Sequence, residues 1–245
     1  MDMKLDINNL TVGYVDKDII KNLNCTLSQG DVLALIGSNG SGKSTLLNTI
    51  AGLKQPVSGI IATNSLSITH QRHEYNSCLG YAPERAPLFY EQNITQYLSY
   101  VAKIRKFPNP KTRIKNILLK LNLWEQRNER ISQLSKGTKQ RINLAQSILH
   151  YPKILLLDEP SQGLDAQECE RLYAHIKKHS QHMLVILATH DQHEVTLLCN
   201  KVLLLDSTEP KVMNINDALN NINETFSEVA VTRMGVKDDT KYNQA

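Results

Sequence analysis

No run of hydrophobic residues is long enough to cross a bilayer. The longest apolar stretches, such as Ile154 to Leu157 and Met183 to Ala188, fall far short of the roughly 20 residues a membrane helix needs. They fit buried strands instead. The segment Met1 to Asn8 mixes acids and bases ahead of any apolar stretch, so it lacks the layout of a secretory signal and implies a cytoplasmic location. Cysteine is sparse: Cys25, Cys78, Cys169 and Cys199 stand apart with no CxxC spacing, which excludes the usual zinc and dithiol redox signatures and leaves free structural thiols. The net charge of +4 is mild, and the sequence has neither a long basic block nor a basic stripe interleaved with aromatics. No nucleic acid is expected as a partner. Internal repeats are absent too.

What remains is globular. Hydrophobic residues make up 41% and charged residues 21% of 245, enough chain for one large domain carrying an inserted lobe. Near-continuous apolar runs at Val32–Ile36, Ile154–Leu157, Leu184–Ala188 and Val202–Leu205 predict parallel strands covered on both faces. Patchier, turn-rich segments at Lys4–Leu10, Ile19–Leu27 and Gly59–Ile68 predict an antiparallel region flanking that sheet. From about Pro83 to Tyr151 the periodicity becomes helical: Ile94, Tyr97, Leu98 and Val101, then Ile114, Ile117, Leu118 and Leu121, with Pro108 and Pro110 between. The fold class is α/β. We read residues 1–235 as a single domain with a helical lobe at about 84–151 inserted in the core, and 236–245 as a frayed tail. Past Asn214 a short helix and a last apolar stretch at Val229–Val231 are expected.

Gly37-Ser38-Asn39-Gly40-Ser41-Gly42-Lys43-Ser44 fits GxxxxGK[ST], directly between an apolar strand and the helix-compatible stretch Ser44 to Leu53. Glycines let successive N–H groups turn towards phosphate oxygens, and the new helix offers the same anion its positive end. Lys43 adds a full charge for the β and γ phosphates, and the Ser44 hydroxyl suits Mg²⁺. Gly37 to Ser44, with Thr45 behind them, form the expected nucleotide contacts.

Ile154-Leu155-Leu156-Leu157-Asp158-Glu159-Pro160 ends an apolar strand in two acids. After a phosphate loop, Asp158 suits the Mg²⁺ shell and Glu159 the attacking water, although the same pair would also serve as an ordinary polar strand end. His190, in Ala188-Thr189-His190-Asp191, follows another apolar strand and is within reach of a γ phosphate or merely structural. His175 and His179 have the four-residue spacing of a metal pair, with His182 nearby, but no acid or cysteine completes a set, so a solvated face is expected. Trp124 reads as a packing residue.

Leu134-Ser135-Lys136-Gly137-Thr138-Lys139-Gln140-Arg141 resembles the LSGGQ signature of the ATP-binding-cassette (ABC) ATPases, a motif other P-loop families do not use. The resemblance runs in order from Tyr14 to about Asp206 and includes a D-loop-like Ser161-Gln162-Gly163-Leu164-Asp165. It implies the P-loop NTPase fold, ATP and Mg²⁺ as cofactors, and catalysis by Lys43, Glu159 and His190, the last as switch histidine. It further implies that Tyr14 stacks on adenine and that Ser135, Gly137 and Thr138 cap the γ phosphate held by a second copy in a head-to-tail dimer. Asp165 would make contact across that dimer. Two positions depart from the family pattern: Glu84 stands where glutamine is usual, still able to serve as a metal ligand beside Ser44 and Asp158, and the signature reads Lys136-Gly137-Thr138.

The resemblance also implies an integral membrane permease as partner, with Leu88 to Thr95 facing it, and peripheral attachment at the cytoplasmic face of the cell membrane. Transport is expected to run outward, on the Pro83-Glu84 context. Two alternatives are a soluble ABC ATPase that remodels a macromolecular assembly and a poorly hydrolysing nucleotide-gated regulator.

Overall fold

The computed structural model describes residues 3–14, 16–64, 66–68, 71–207 and 210–218. The expected apolar stretch at 229–231 and the tail 236–245 lie outside them. Among the described residues ten strands form two sheets. β1 (Lys4–Tyr14), β2 (Lys17–Ser28), β4 (Ser58–Thr63) and β5 (Leu66–Ser67) make an antiparallel sheet in the order β2-β1-β4-β5. The other sheet has the order β10-β9-β3-β8-β7-β6, built from β3 (Val32–Ile36), β6 (Leu79–Ala82), β7 (Ile154–Asp158), β8 (Leu184–Ala188), β9 (Lys201–Leu204) and β10 (Val212–Asn214). Its strands are parallel except for β10, which pairs antiparallel with β9. Among the described residues the α-helices are α1 (Lys43–Ile50), α2 (Arg72–Ser77), α3 (Ile94–Ile104), α4 (Pro110–Lys120), α5 (Lys136–Ile148), α6 (Ala166–Ser180) and α7 (Gln192–Leu198).

The apolar strands read as they do because both faces of the parallel sheet are covered. Successive side chains on a strand point to opposite faces. Leu33 and Leu35 accordingly join Leu156, Ile186 and the α1 residues Leu46, Leu47 and Ile50 in one core, shared with the antiparallel sheet. Val32, Ala34 and Ile36 join Leu155, Leu157 and Val185 in the other, shared with α3, α4 and α5. All five residues of β3, β7 and β8 are buried.

Between β6 and β7 the chain is helical, as α3, α4 and α5. α3 starts at a capping box in which Asn93 accepts from Gln96 N at 2.8 Å and Gln96 returns a contact to Asn93 N at 3.0 Å. α4 starts with Pro110, whose missing N–H costs nothing in a first turn. Trp124 packs against the core with Arg127 over its ring, as a packing residue should. His175 and His179 differ from expectation. They are half-buried with ring centroids 4.5 Å apart, because α6 turns them towards α4 instead of solvent.

Candidate nucleotide site

Strand order brings the chemistry together. β3, β8, β7 and β6 are consecutive neighbours and run the same way. The loops leaving their carboxyl ends therefore meet at one edge, where α/β sheets bind ligands. Those loops carry, in the same order, residues 37–44, Thr189 with His190, Asp158 with Glu159, and Pro83 with Glu84. Asn39, Gly40, Gly42 to Thr45, Glu84, Asp158, Glu159 and His190 line one cavity of about 400 Å³ together with Tyr14.

The phosphate loop curls through left-handed backbone at Gly40 and Gly42, with φ of 87° and 105°. A side chain at Gly42 would also strike Ile19, its Cβ coming within 2.7 Å of Cγ2. Lys43 Nζ donates to Gly37 O at 2.7 Å and Ser38 O at 3.0 Å, which holds the ammonium over the loop. Asp206 fixes the loop from below: Ser38 N donates to its Oδ2 at 2.6 Å and Ser38 Oγ to its Oδ1 at 2.8 Å. Ser38 thus braces the loop through its own amide and hydroxyl. Thr45 is buried in the first turn of α1, whereas Ser44 is exposed to the cavity.

Asp158 is only 4% exposed. Burial pushes its carboxyl up to about 6, helped by the charges of Glu159 and Glu84 and opposed by a hydrogen bond from Ser44 and by Lys43. A divalent cation would relieve this crowding of carboxylates, and the oxygen donors of Ser44, Asp158 and Glu84 suit Mg²⁺. Among the described residues no group of three acids, histidines or cysteines is placed to hold a metal ion. Glu159 sits in left-handed backbone at φ 49°, an unusual conformation for a residue bearing a Cβ. Its N–H donates to Ala188 O at 2.9 Å. His190 Nδ1 stands 2.6 Å from Glu159 Oε2, a close contact without hydrogen-bond alignment.

Comparison with known proteins settles the family. The ABC transporter family model matches residues 20–162. The chain is 35% identical over 209 residues to the sulfate/thiosulfate import ATP-binding protein of Synechocystis, covering 84% of this chain and 59% of that protein. It is 30% identical over 254 residues to the spermidine/putrescine import ATP-binding protein of Pasteurella multocida, covering 95% and 67%. The chain belongs to the ABC transporter family. Its fold matches a structure described as the ATP-binding subunit of an ABC transporter, with TM-score 0.82 and 23% identity over 94% of this chain and 99% of that one. ATP-binding domains of this family are ATPases, and this chain spans about three fifths of the length of the first of these relatives, 59%.

The signature residues and Asp165 of the D-loop lie outside the cavity, which the D-loop reaches through Gln162. Ser135 is the exposed N-cap of α5, its Oγ accepting from Thr138 N at 3.1 Å. Gly137 is buried where α5 meets the D-loop: a Cβ there would come within 2.9 Å of Glu168 Oε2 and 3.1 Å of Gly163 O. Thr138, expected among the nucleotide contacts, is 2% exposed, and its hydroxyl meets Ser135 Oγ at 2.9 Å and Arg141 Nη2 at 3.1 Å. Asp165 is the N-cap of α6, accepting from Glu168 N at 2.8 Å. Tyr14 is 60% exposed at the cavity rim with Lys54 4.0 Å from its ring centroid.

Sequence reasoning passed over four residues of this neighbourhood. Ile19 and Gln162 line the cavity, Asp206 braces the phosphate loop, and Glu194 lies buried beneath the switch region. Gln162 stood within the quoted D-loop-like segment and Asp206 at the end of the resemblance, but neither was given a role.

Proposed function

We propose that two copies of this chain close head to tail around ATP and Mg²⁺, hydrolyse the nucleotide, and drive a membrane permease through that cycle. The observation that carries the reading is the division of the motifs. The phosphate loop, Asp158, Glu159 and His190 share one cavity, while Ser135 caps an exposed helix end outside it. A helix N-terminus is a ready anion site, and this one has no phosphate loop of its own to serve. A second copy would bring it to the γ phosphate.

Within the site, Lys43 and the loop amides hold the β and γ phosphates. Ser44, Asp158 and Glu84 would hold Mg²⁺, which neutralises phosphate charge when bound. Glu159 positions water for in-line attack on the γ phosphorus and accepts its proton, and ADP leaves. His190, against the Glu159 carboxylate, fixes that side chain and faces the departing phosphate. Tyr14 supplies an aromatic face at the rim for the base.

The permease contact we place in a groove of about 690 Å³ between the core and the helical lobe, lined by Leu53, His73, Arg85, Ile104 and Lys106 among others. Leu53 and Ile104 are exposed large hydrophobics, as are Phe89 and Tyr90 of the stretch Leu88 to Thr95. Such exposed apolar groups suit a docked helix. Among the described residues no helix is long and apolar enough to cross a membrane, so attachment to the cytoplasmic face would come through the permease. Export is inferred from Glu84 following Pro83.

Mg²⁺-dependent ATP hydrolysis across a protein-concentration series tests the reading. Specific activity should climb with concentration, and Glu159→Gln should lower it by about 10²-fold or more. Activity independent of concentration, or untouched by the substitution, would sink it.

A further inference from the structure

We propose a second binding site on this chain, for a small organic anion with an apolar body, enclosed by α4, α6 and the segment leading into β7. Lys153 immediately precedes β7, whose other end carries Asp158, so this site lies at the opposite end of the strand from the nucleotide. A cavity of about 370 Å³ is floored by Ile117, Leu155 and Ile176 and rimmed by Arg113, Lys120, Lys153, His175, His179 and His182. An apolar floor with a few polar groups at its rim is the usual make-up of a small-molecule site.

No acid offsets that rim. The cavity lining contains neither Asp nor Glu. The sequence has no acid from Gln92 to Trp124, a stretch that holds Lys103, Arg105, Lys106, Lys111, Arg113, Lys115 and Lys120, and none from Arg171 to His190. Burial and then His179, Lys120, Arg113 and Lys178 push His175 down to about 4, with no acid pulling the other way. Burial, then Lys120, Lys178, Arg113 and His182, push His179 down as well. Part of this charge has a structural use. Arg113 donates to Leu149 O at 3.1 Å and Ile148 O at 2.7 Å, closing the end of α5, and stacks 3.6 Å from the Tyr151 centroid. Lys120 and Lys153 have no ion pair among the described residues. Their charges converge on a concave apolar surface, where a bound anion would be attracted by all of them. The histidine cluster thereby serves an anion, not the metal its spacing suggested, and no metal cluster is found among the described residues.

The test follows the histidine ring signals of the full chain by NMR during titration with hexyl phosphate, with the Lys43 loop saturated by ADP. Saturable shifts at His175, His179 and His182 are expected, with at least tenfold weaker binding in Lys120→Glu and in the milder Lys153→Gln. Inorganic phosphate, lacking the apolar body, should bind more weakly than hexyl phosphate. Unchanged ADP binding in both variants would establish that they fold. Absence of shifts at millimolar hexyl phosphate, or equal shifts in both variants, overturns the proposal. So does binding to phosphatidate vesicles with no response to hexyl phosphate, which would make this face a membrane surface instead of a pocket.

Discussion

Glu194 lies four residues beyond the switch histidine and is 0% exposed. Its Oε2 accepts from Ser161 Oγ of the D-loop at 3.4 Å, while Oε1 has no partner of good geometry. Burial pushes the carboxyl up to about 7, with Asp191 and Glu159 adding to the rise and the hydroxyls of Thr189 and Ser161 opposing it. A carboxyl whose folded value is raised favours the folded state when protonated. Its contribution is present below the ordinary glutamate value of 4.5 and is lost as pH rises through about 7. Glu194→Gln, which keeps the shape without the charge, should therefore raise Tm at about pH 8, by about 2–4 °C for each kcal/mol released, and hardly change it near pH 4. Thermal melts across pH check this; an equal Tm difference at both ends would contradict it. Nothing in the sequence marks Glu194, because its importance comes from what the fold places around it. Lys43, Ser44 and Asp158 were legible for the opposite reason: phosphate chemistry demands their types at fixed local spacing.

Among the elements, the strands of the sheet centre were the easiest to read. β3 and β8 coincide with the apolar runs that predict them, and β7 extends its run by Asp158 alone. β6 was not legible. Its four residues, Leu79–Ala82, include Gly80, which breaks the apolar run yet allows close approach, since a Cβ there would strike the Ser147 carbonyl of α5. β10 is three half-exposed or exposed residues at the sheet edge, too short for a periodic signal. α5 shows how an element carries function through its anchoring. Arg141 Nη1 donates to Leu121 O at 3.2 Å and Asn122 O at 2.9 Å, while Nη2 lies 3.0 Å from Glu168 Oε1. One guanidinium thereby ties the signature helix to the end of α4 and to the D-loop helix α6. Arg141→Ala should cost about 2 kcal/mol, by stranding the half-buried Glu168 and freeing the carbonyls of Leu121 and Asn122. Lys at this position should recover only part of that, lacking the planar fork. Chemical denaturation measures both, and a loss below about 1 kcal/mol for Ala would contradict the role.

For the whole molecule, the resemblance implied that the signature serves a nucleotide held by a second copy, while the sequence did not show where the signature lies relative to the chain's own phosphate loop. Order along the chain placed Ser135 and Lys43 in one domain; the structure separates the signature helix end from the cavity that holds Lys43. The groove between core and helical lobe was likewise hidden, since it joins Leu53 with Ile104 across about 50 residues of chain. Ile104 is 61% exposed, so Ile104→Glu should leave folding and basal hydrolysis unchanged while abolishing retention on membranes that contain the permease. Co-sedimentation with those membranes reads this out; retention equal to wild type would remove the groove from the partner contact. The shared site itself is tested most directly by analytical ultracentrifugation of Glu159→Gln with ATP. The account predicts a stable dimer that a further Ser135→Arg substitution returns to monomer with ATP still bound. A monomer in the presence of ATP, or a dimer indifferent to Ser135→Arg, would contradict it.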